Sequence, residues 1–257
     1  MAKVAVEKDG ATTIVSIDRF AEARNAVDPE TAGLLREAFF AFDRDETQSV
    51  AILTGRGGTF CAGYDLKVAA SRGSRPAFNP EAPGPMGPTR HLLSKPVIAA
   101  VDGPALAGGT EIVLASDLVV ASTTATFGIP EVKRSLVAGA GGLFRLGRKI
   151  PLNIAMELTL TGDPIDATRA HHFGLVNRLV EPGQALEEAI SLAEQICANA
   201  PVAVRESRKI VIEATNAPDE IGWKMSMEGM AVAMRSEDFS EGLTAFIEKR
   251  PPAWKGR

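Results

Sequence analysis

The sequence predicts an α/β protein that finishes in a run of helices. Three observations carry that prediction. Short apolar runs bounded by turn residues alternate with amphipathic stretches through most of the chain, a glycine pair closes one strand-to-helix joint, and helical spacing is almost unbroken beyond Gly183. A chain of 257 residues has room for one large domain, or for a main domain with a helical appendage, around a substantial core. A soft boundary falls near residue 195, dividing a core of residues 1–195 from a helical region of residues 196–257.

The elements follow in order. Residues 3–7 (KVAVE) and 12–17 (TTIVSI) alternate or run apolar around Asp9-Gly10, which predicts a β-hairpin. Residues 18–27 (DRFAEARNAV) read as irregular. Asp28-Pro29 then supplies an N-cap and a first-turn proline for a helix whose apolar face carries Leu34, Leu35, Ala38, Phe39 and Phe42. Residues 49–53 (SVAIL) predict a buried strand that ends in the glycine-rich stretch 54–65 (TGRGGTFCAGYD). Residues 71–89 are rich in proline, glycine and serine and predict a mobile surface loop, either a lid or a solvated insertion.

Residues 96–101 (PVIAAV) read as a strand and lead into residues 103–116 (GPALAGGTEIVLAS), where a helix is expected to start at residues 110–114. Residues 117–121 and 125–128 read as a strand and a short extended piece, so strands and helices alternate with right-handed crossovers up to this point. The GAGG at 139–142 is no dinucleotide fingerprint, because Phe144 stands where a third glycine would be needed. Helices are expected at 152–160 and from Asp166 to Gly174, then a strand at 176–180, then helices at 184–199, 202–214, 219–235 and 238–249. In the third of these last four, Trp223, Met227, Met230 and Met234 share one face, a stripe suited to core or subunit packing rather than to a cofactor.

Composition removes several classes of function. With 45% apolar and 23% charged residues, a formal charge of −4 and no basic cluster, the chain suits neither nucleic acid nor an acidic membrane surface. No apolar run is long enough to span a bilayer, and residues 1–10 are too polar for a signal peptide, so the cytoplasm is the expected compartment. Cys61 and Cys197 lie far apart and read as buried free thiols. His91, His171 and His172 fit no metal-binding spacing, so no metal is expected. A GxSxG nucleophile motif is absent.

The chemistry concentrates in residues 103–116. The pair Gly108-Gly109 lets the backbone approach a ligand closely, and first-turn amides with the positive end of a helix dipole favour developing negative charge there. By itself this joint also fits plain tight packing. One turn further on, Glu111 is a carboxylate that packing alone does not call for.

Taken together, residues 60–66 (FCAGYDL), 95–111 (KPVIAAVDGPALAGGTE), 117–119 (DLV), 127–132 (FGIPEV), 139–142 (GAGG), 160–163 (LTGD), 170–176 (AHHFGLV) and 246–250 (FIEKR) resemble the crotonase (enoyl-CoA hydratase/isomerase) family over nearly the whole chain. The resemblance implies a spiral of ββα turns capped by C-terminal helices, assembled as homotrimers or pairs of trimers. It implies an acyl-CoA thioester whose oxygen is bound by the backbone N–H groups of Tyr64 and Gly108, with Glu111 working on water at Cβ and Glu131 exchanging the proton at Cα. It also implies coenzyme A contacts at Arg24, Ala62, Asp65, Leu66 and Lys67, and at Phe246 and Lys249 reaching the coenzyme A of an adjacent subunit. Coenzyme A enters as part of the substrate, and no separate cofactor is required. The implied reaction is reversible syn hydration of a trans-2-enoyl-CoA. Isomerase, carnitinyl-CoA-type dehydratase, and a silent acyl-CoA binder are the alternatives. The chain departs from the family at residues 18–26 (DRFAEARNA), where members often read N-R-P-x-x-x-N-A, and the path around Arg24 is the feature this unsettles.

Overall fold

The structure is a computed structural model that describes residues 2–71 and 84–257. Strands β1 (Val4–Asp9) and β2 (Thr12–Ile17) form the expected hairpin, with Asp9 opposite Thr12. Helix α1 (Phe20–Ala23) is a single turn, and α2 (Pro29–Arg44) starts at Asp28, whose side chain accepts a hydrogen bond from the Thr31 N–H. Next come β3 (Val50–Gly55), α3 (Leu66–Ser71), a 3-10 turn at Gly87–Arg90, β4 (Val97–Val101), β5 (Pro104–Leu106) and α4 (Gly108–Ala115). They are followed by β6 (Leu118–Ser122), β7 (Thr126–Gly128), a second 3-10 turn at Pro130–Arg134, α5 (Gly142–Lys149) and α6 (Leu152–Thr161). The chain closes with β8 (Ile165–Asp166), α7 (Ala167–His172), β9 (Arg178–Val180), α8 (Ala185–Cys197), α9 (Pro201–Ala214), α10 (Asp219–Arg235) and α11 (Glu237–Glu248).

Among the described residues the strands form two sheets. The larger has the order β1-β2-β3-β4-β6-β9 and is parallel apart from the opening hairpin, and the smaller has the order β5-β7-β8. From β4 onward the strands divide between the sheets, β4, β6 and β9 in the large one and β5, β7 and β8 in the small one, which makes a spiral of ββα turns. Parallel strands covered on both faces read as unbroken apolar runs, and the central strands do so here. Val50, Ile52, Ile98, Ala100 and Val120 face Ala185, Ala189 and Ala193 of α8. On the other face, Ala51, Leu53, Ala99 and Val101 meet Leu35, Phe39, Phe60 and Ile112 in the main core. The C-terminal helices are tied back to this body: Arg208 of α9 donates to the Asp117 carboxylate at 2.8 Å and to the Leu93 carbonyl.

The structure refines the sequence expectation in several places. Residues 18–27 hold α1 and then two consecutive residues, Arg24 and Asn25, in left-handed conformation at φ 51° and 59°. A short strand, β5, lies inside what reads as a plain strand-to-helix joint, and α4 begins at Gly108 rather than Thr110. Cys197 is only half-buried, whereas Cys61 is fully buried. Of the two packings expected for the stripe on α10, core or subunit, the core is excluded, because Trp223, Met227, Met230 and Met234 are 71%, 66%, 58% and 52% exposed. Most of the expected surface loop, residues 72–83, lies outside the described residues. Among the described residues no helix is long and apolar enough to cross a membrane.

Candidate active site

Two backbone segments converge at the start of α4. Beyond β3, the chain pairs with β5: the Cys61 N–H donates to the Pro104 carbonyl at 3.2 Å and the Leu106 N–H to the Cys61 carbonyl at 3.0 Å. It then pairs with residue 27, the Val27 N–H reaching the Gly63 carbonyl at 2.8 Å and the Asp65 N–H the Val27 carbonyl at 2.9 Å. In a parallel bridge of this kind the residue between the two bonded neighbours turns its own N–H to the opposite side. That residue is Tyr64. Gly63, at φ 100°, is packed so tightly that a Cβ there would lie 2.8 Å from Ala107 Cβ and 3.2 Å from the Gly108 nitrogen. The Tyr64 and Gly108 amides are thus carried by segments in direct contact, and among the described residues neither makes a backbone hydrogen bond.

The entry to α4 is strained and firmly held. Ala107 sits at φ 52° and ψ −125°, a conformation that costs a non-glycine residue roughly 1–3 kcal/mol. Its N–H donates to the Gly128 carbonyl at 2.9 Å, and the Thr110 hydroxyl, bonded at 2.6 Å to the Ala105 carbonyl, accepts from the Gly128 N–H at 3.0 Å. A Cβ on Gly109 would meet the Cys61 carbonyl oxygen at 2.2 Å, so the helix reaches the loop only because residue 109 is glycine. Met86, just before the first 3-10 turn, is buried against Gly108: a Cβ there would lie 2.6 Å from its Sδ and Cε.

Glu111 is 3% exposed in the first turn of α4. Its Oε1 accepts hydrogen bonds from the Ala140 N–H at 2.8 Å and the Gly142 N–H at 2.9 Å, the latter the first residue of α5. Burial pushes its carboxyl above the ordinary range, against the pull of those two amides and of the Arg145 charge. Glu131 lies on the second 3-10 turn, and its Oε2 is buried with no hydrogen-bond partner. Its carboxyl is raised chiefly by burial, opposed by its own backbone N–H and pushed further by the charge of Glu111. The two glutamates are therefore neighbours electrostatically. Of the residues adjacent to Glu131, Ile129 is buried and Val132 is 44% exposed.

Arg24, Ala62, Asp65, Leu66 and Lys67 line one cleft of about 590 Å³ together with Phe20 and Tyr64. Arg24, Leu66 and Lys67 are exposed there. Asp65 lines the cleft with its side chain committed elsewhere, accepting from the Lys67 N–H at 3.1 Å and from buried Arg19 at 3.3 Å. Arg19 also pairs with Asp28, so the carboxylate of Asp65 fixes the loop. Phe246 and Lys249, at the end of α11, are exposed and do not line this cleft. Arg19, Met86 and Arg145 went unnoticed in the sequence, since no spacing rule sends them to the same place as Gly108 and Glu111.

This spiral, with the Tyr64 and Gly108 amides left without backbone partners, a buried Glu111 and a half-buried Glu131, defines an acyl-CoA enzyme of the crotonase class. The family model described as enoyl-CoA hydratase/isomerase matches residues 8–257, and the chain belongs to that family. It is 41% identical to enoyl-CoA hydratase EchA19 of Mycobacterium tuberculosis, over 98% of this chain and 96% of that one. It is 39% identical to carnitinyl-CoA dehydratase of Proteus mirabilis, over 91% of each. The crystal structure of an enoyl-CoA hydratase from Mycobacterium tuberculosis H37Rv superposes with a TM-score of 0.93 at 47% identity, over 99% of each chain.

Proposed function

We propose that the protein is an enoyl-CoA hydratase, adding water reversibly and with syn geometry across a trans-2-enoyl-CoA to give a 3-hydroxyacyl-CoA. The observation that carries this reading is that Glu131, whose buried Oε2 has no partner, lies near enough to Glu111 to feel its charge, and that Glu111 stands in the first turn of the helix whose first amide is that of Gly108. Hydration passes through an enolate-like state with charge on the thioester oxygen. The N–H groups of Tyr64 and Gly108 are the donors assigned to that oxygen, and one such preorganised donor contributes about 2.7–4 kcal/mol to lowering a barrier of this kind.

The proton inventory closes on the two acids. Glu111 in its ionised form, whose charge the Ala140 and Gly142 amides stabilise, takes a proton from the water whose oxygen bonds to Cβ, while protonated Glu131 gives its proton to Cα. One proton then passes from Glu111 back to Glu131, and the net change is one water added. No redox or metal cofactor enters this balance, and coenzyme A arrives with the substrate. Its adenosine and pantetheine are assigned to the cleft of Arg24, Ala62, Leu66 and Lys67, with Phe246 and Lys249 reaching the coenzyme A of a neighbouring subunit. That last assignment goes with a homotrimer or a pair of trimers in the cytoplasm.

The carnitinyl-CoA dehydratase relative favours a second reading, in which the same acids run the elimination on a substrate of that type. A panel of trans-2-enoyl-CoAs of increasing size, together with carnitinyl-CoA, separates the two. Loss of enoyl absorbance with crotonyl-CoA, with a 3-hydroxyacyl-CoA as product, is the expected result. Turnover confined to carnitinyl-CoA would move the assignment to the second reading, and tight binding of every ester without turnover would make the protein an acyl-CoA binder.

A further inference from the structure

Arg145 lies on the second turn of α5, and its guanidinium serves two separate stretches of backbone. One nitrogen donates to the Ala140 carbonyl at 3.1 Å and another to the Thr89 carbonyl at 2.7 Å. The first carbonyl belongs to the loop whose Ala140 and Gly142 amides seat Glu111. The second belongs to the 3-10 turn that follows Met86, the side chain packed on Gly108. Those segments lie far apart in the chain, and the guanidinium is a direct hydrogen-bonded bridge between them. A planar fork carries separate nitrogens in fixed directions, so each carbonyl has its own donor, whereas an ammonium would have to reach both from one atom.

We propose that Arg145 is a positioning residue for the hydration reaction, fixing the seat of Glu111 and the turn that sets Met86 against Gly108 as one unit. The proposal rests on the hydratase reading of Glu111. Geometry at this scale matters, because displacement of a reacting group by about 1 Å can cost roughly a hundredfold in rate. The Arg145 charge also acts on Glu111 directly and draws its carboxyl down against the effect of burial. The other charged groups on the elements packed around Glu111 are Glu131, Lys133 and Arg134 on the second 3-10 turn, with Lys133 paired to Asp163 and Arg134 donating to the Lys133 carbonyl, Arg148 and Lys149 on α5, and Arg90 on the first 3-10 turn. Lys149 donates to the Ser116 carbonyl, and Arg148 stacks on Phe144, so Arg145 is the cation acting on Glu111.

Two variants test this, Arg145→Lys, which keeps the charge and loses the fork, and Arg145→Met, which loses both. Each is assayed for crotonyl-CoA hydration from pH 5 to 9 and for amide hydrogen exchange in peptides covering residues 84–90 and 138–143. Arg145→Lys is expected to lower kcat about tenfold with KM within about threefold, to leave the acidic limb of the pH profile in place, and to speed exchange in both peptides. Arg145→Met is expected to lower kcat further and to move the acidic limb upward, because an ionised Glu111 has lost its nearby cation. Wild-type kcat and wild-type exchange in Arg145→Lys would overturn the proposal, as would a fall in melting temperature with no change in kcat. Should Arg145→Met fail to fold, the lysine variant alone decides. If the wild-type protein hydrates no enoyl-CoA, the hydratase reading fails by itself, and the exchange comparison still decides the brace.

Discussion

Glu131 carries an oxygen that the fold has buried without giving it a partner. A buried acceptor left unsatisfied is a cost, and proteins keep such costs where function requires them. Glu131→Gln is expected to lower kcat by about 10²–10⁴, the usual contribution of a positioned acid or base, while the affinity for acyl-CoA stays within about threefold. Near-normal turnover would remove the residue from the chemistry. The same variant has a stability signature. A carboxyl whose folded value is raised by burial is favoured in its protonated form, so the wild-type protein loses stability as pH climbs from the unfolded value near 4.5 through the folded one. Glutamine does not titrate. The melting temperature of Glu131→Gln should therefore rise above wild type progressively at pH values above 4.5, and a gap of constant size from pH 4 to 8 would contradict the assignment. The pairing of Glu111 with Glu131 was legible in the sequence only through the spacing of whole motifs. The orphaned oxygen was not legible, because it depends on what the surrounding turn fails to offer.

At the scale of elements, the site is a meeting of two helix starts. Glu111 stands in the first turn of α4, and its carboxylate accepts from the first amide of α5, where the positive end of that helix favours the charged form. Gly142 makes the approach possible, since a Cβ there would lie 2.6 Å from Glu111 Cγ and 3.1 Å from its Oε1. Gly142→Ala should push the carboxylate off its two amides, lower kcat at least about tenfold and raise the pH of the acidic limb, because the ionised form loses donors that stabilise it. KM should change little, as residue 142 does not line the cleft proposed for coenzyme A. A variant with wild-type kcat would show that the amides of 140 and 142 do not seat the base. The strands and long helices here were legible from apolar runs, caps and 3.6-residue spacing. Strand β5 was not, because residues 103–106 read as part of a strand-to-helix joint and the strand is held by partners distant in sequence, Cys61 and β7. Arg145 was hidden for the same reason, since both of its acceptors are carbonyls, which the sequence does not distinguish.

On the scale of the whole molecule, one chain leaves a large apolar surface uncovered. Trp223, Met227 and Met230 on α10 are more than half exposed, and Phe246 and Ile247 at the end of α11 are 84% and 78% exposed. Exposed apolar residues in such number on neighbouring helices suit the subunit contact proposed above. The helical spacing of the stripe was legible in the sequence, but whether it faced the core or a neighbour was not, because both demand the same periodicity. In the proposed trimer this face packs on a second copy, and burying one methionine there is worth roughly 1.5–3 kcal/mol. Replacing both Met227 and Met230 by glutamate exchanges that gain for the cost of desolvating charge. Met227→Glu/Met230→Glu should therefore weaken assembly by well over a factor of about 10, which corresponds to 1.4 kcal/mol. Light scattering at micromolar concentration reads this as a shift of mass toward a single chain with helical content retained. Because Phe246 and Lys249 are assigned to the coenzyme A of the adjacent subunit, the same variant should raise KM for crotonyl-CoA more than it lowers kcat. Glu111 and Glu131 sit within one chain and are untouched by dissociation. An unchanged mass would show that the α10 face is not what joins the subunits, and a mass shift with unchanged KM would confine the coenzyme A cleft to residues of one chain.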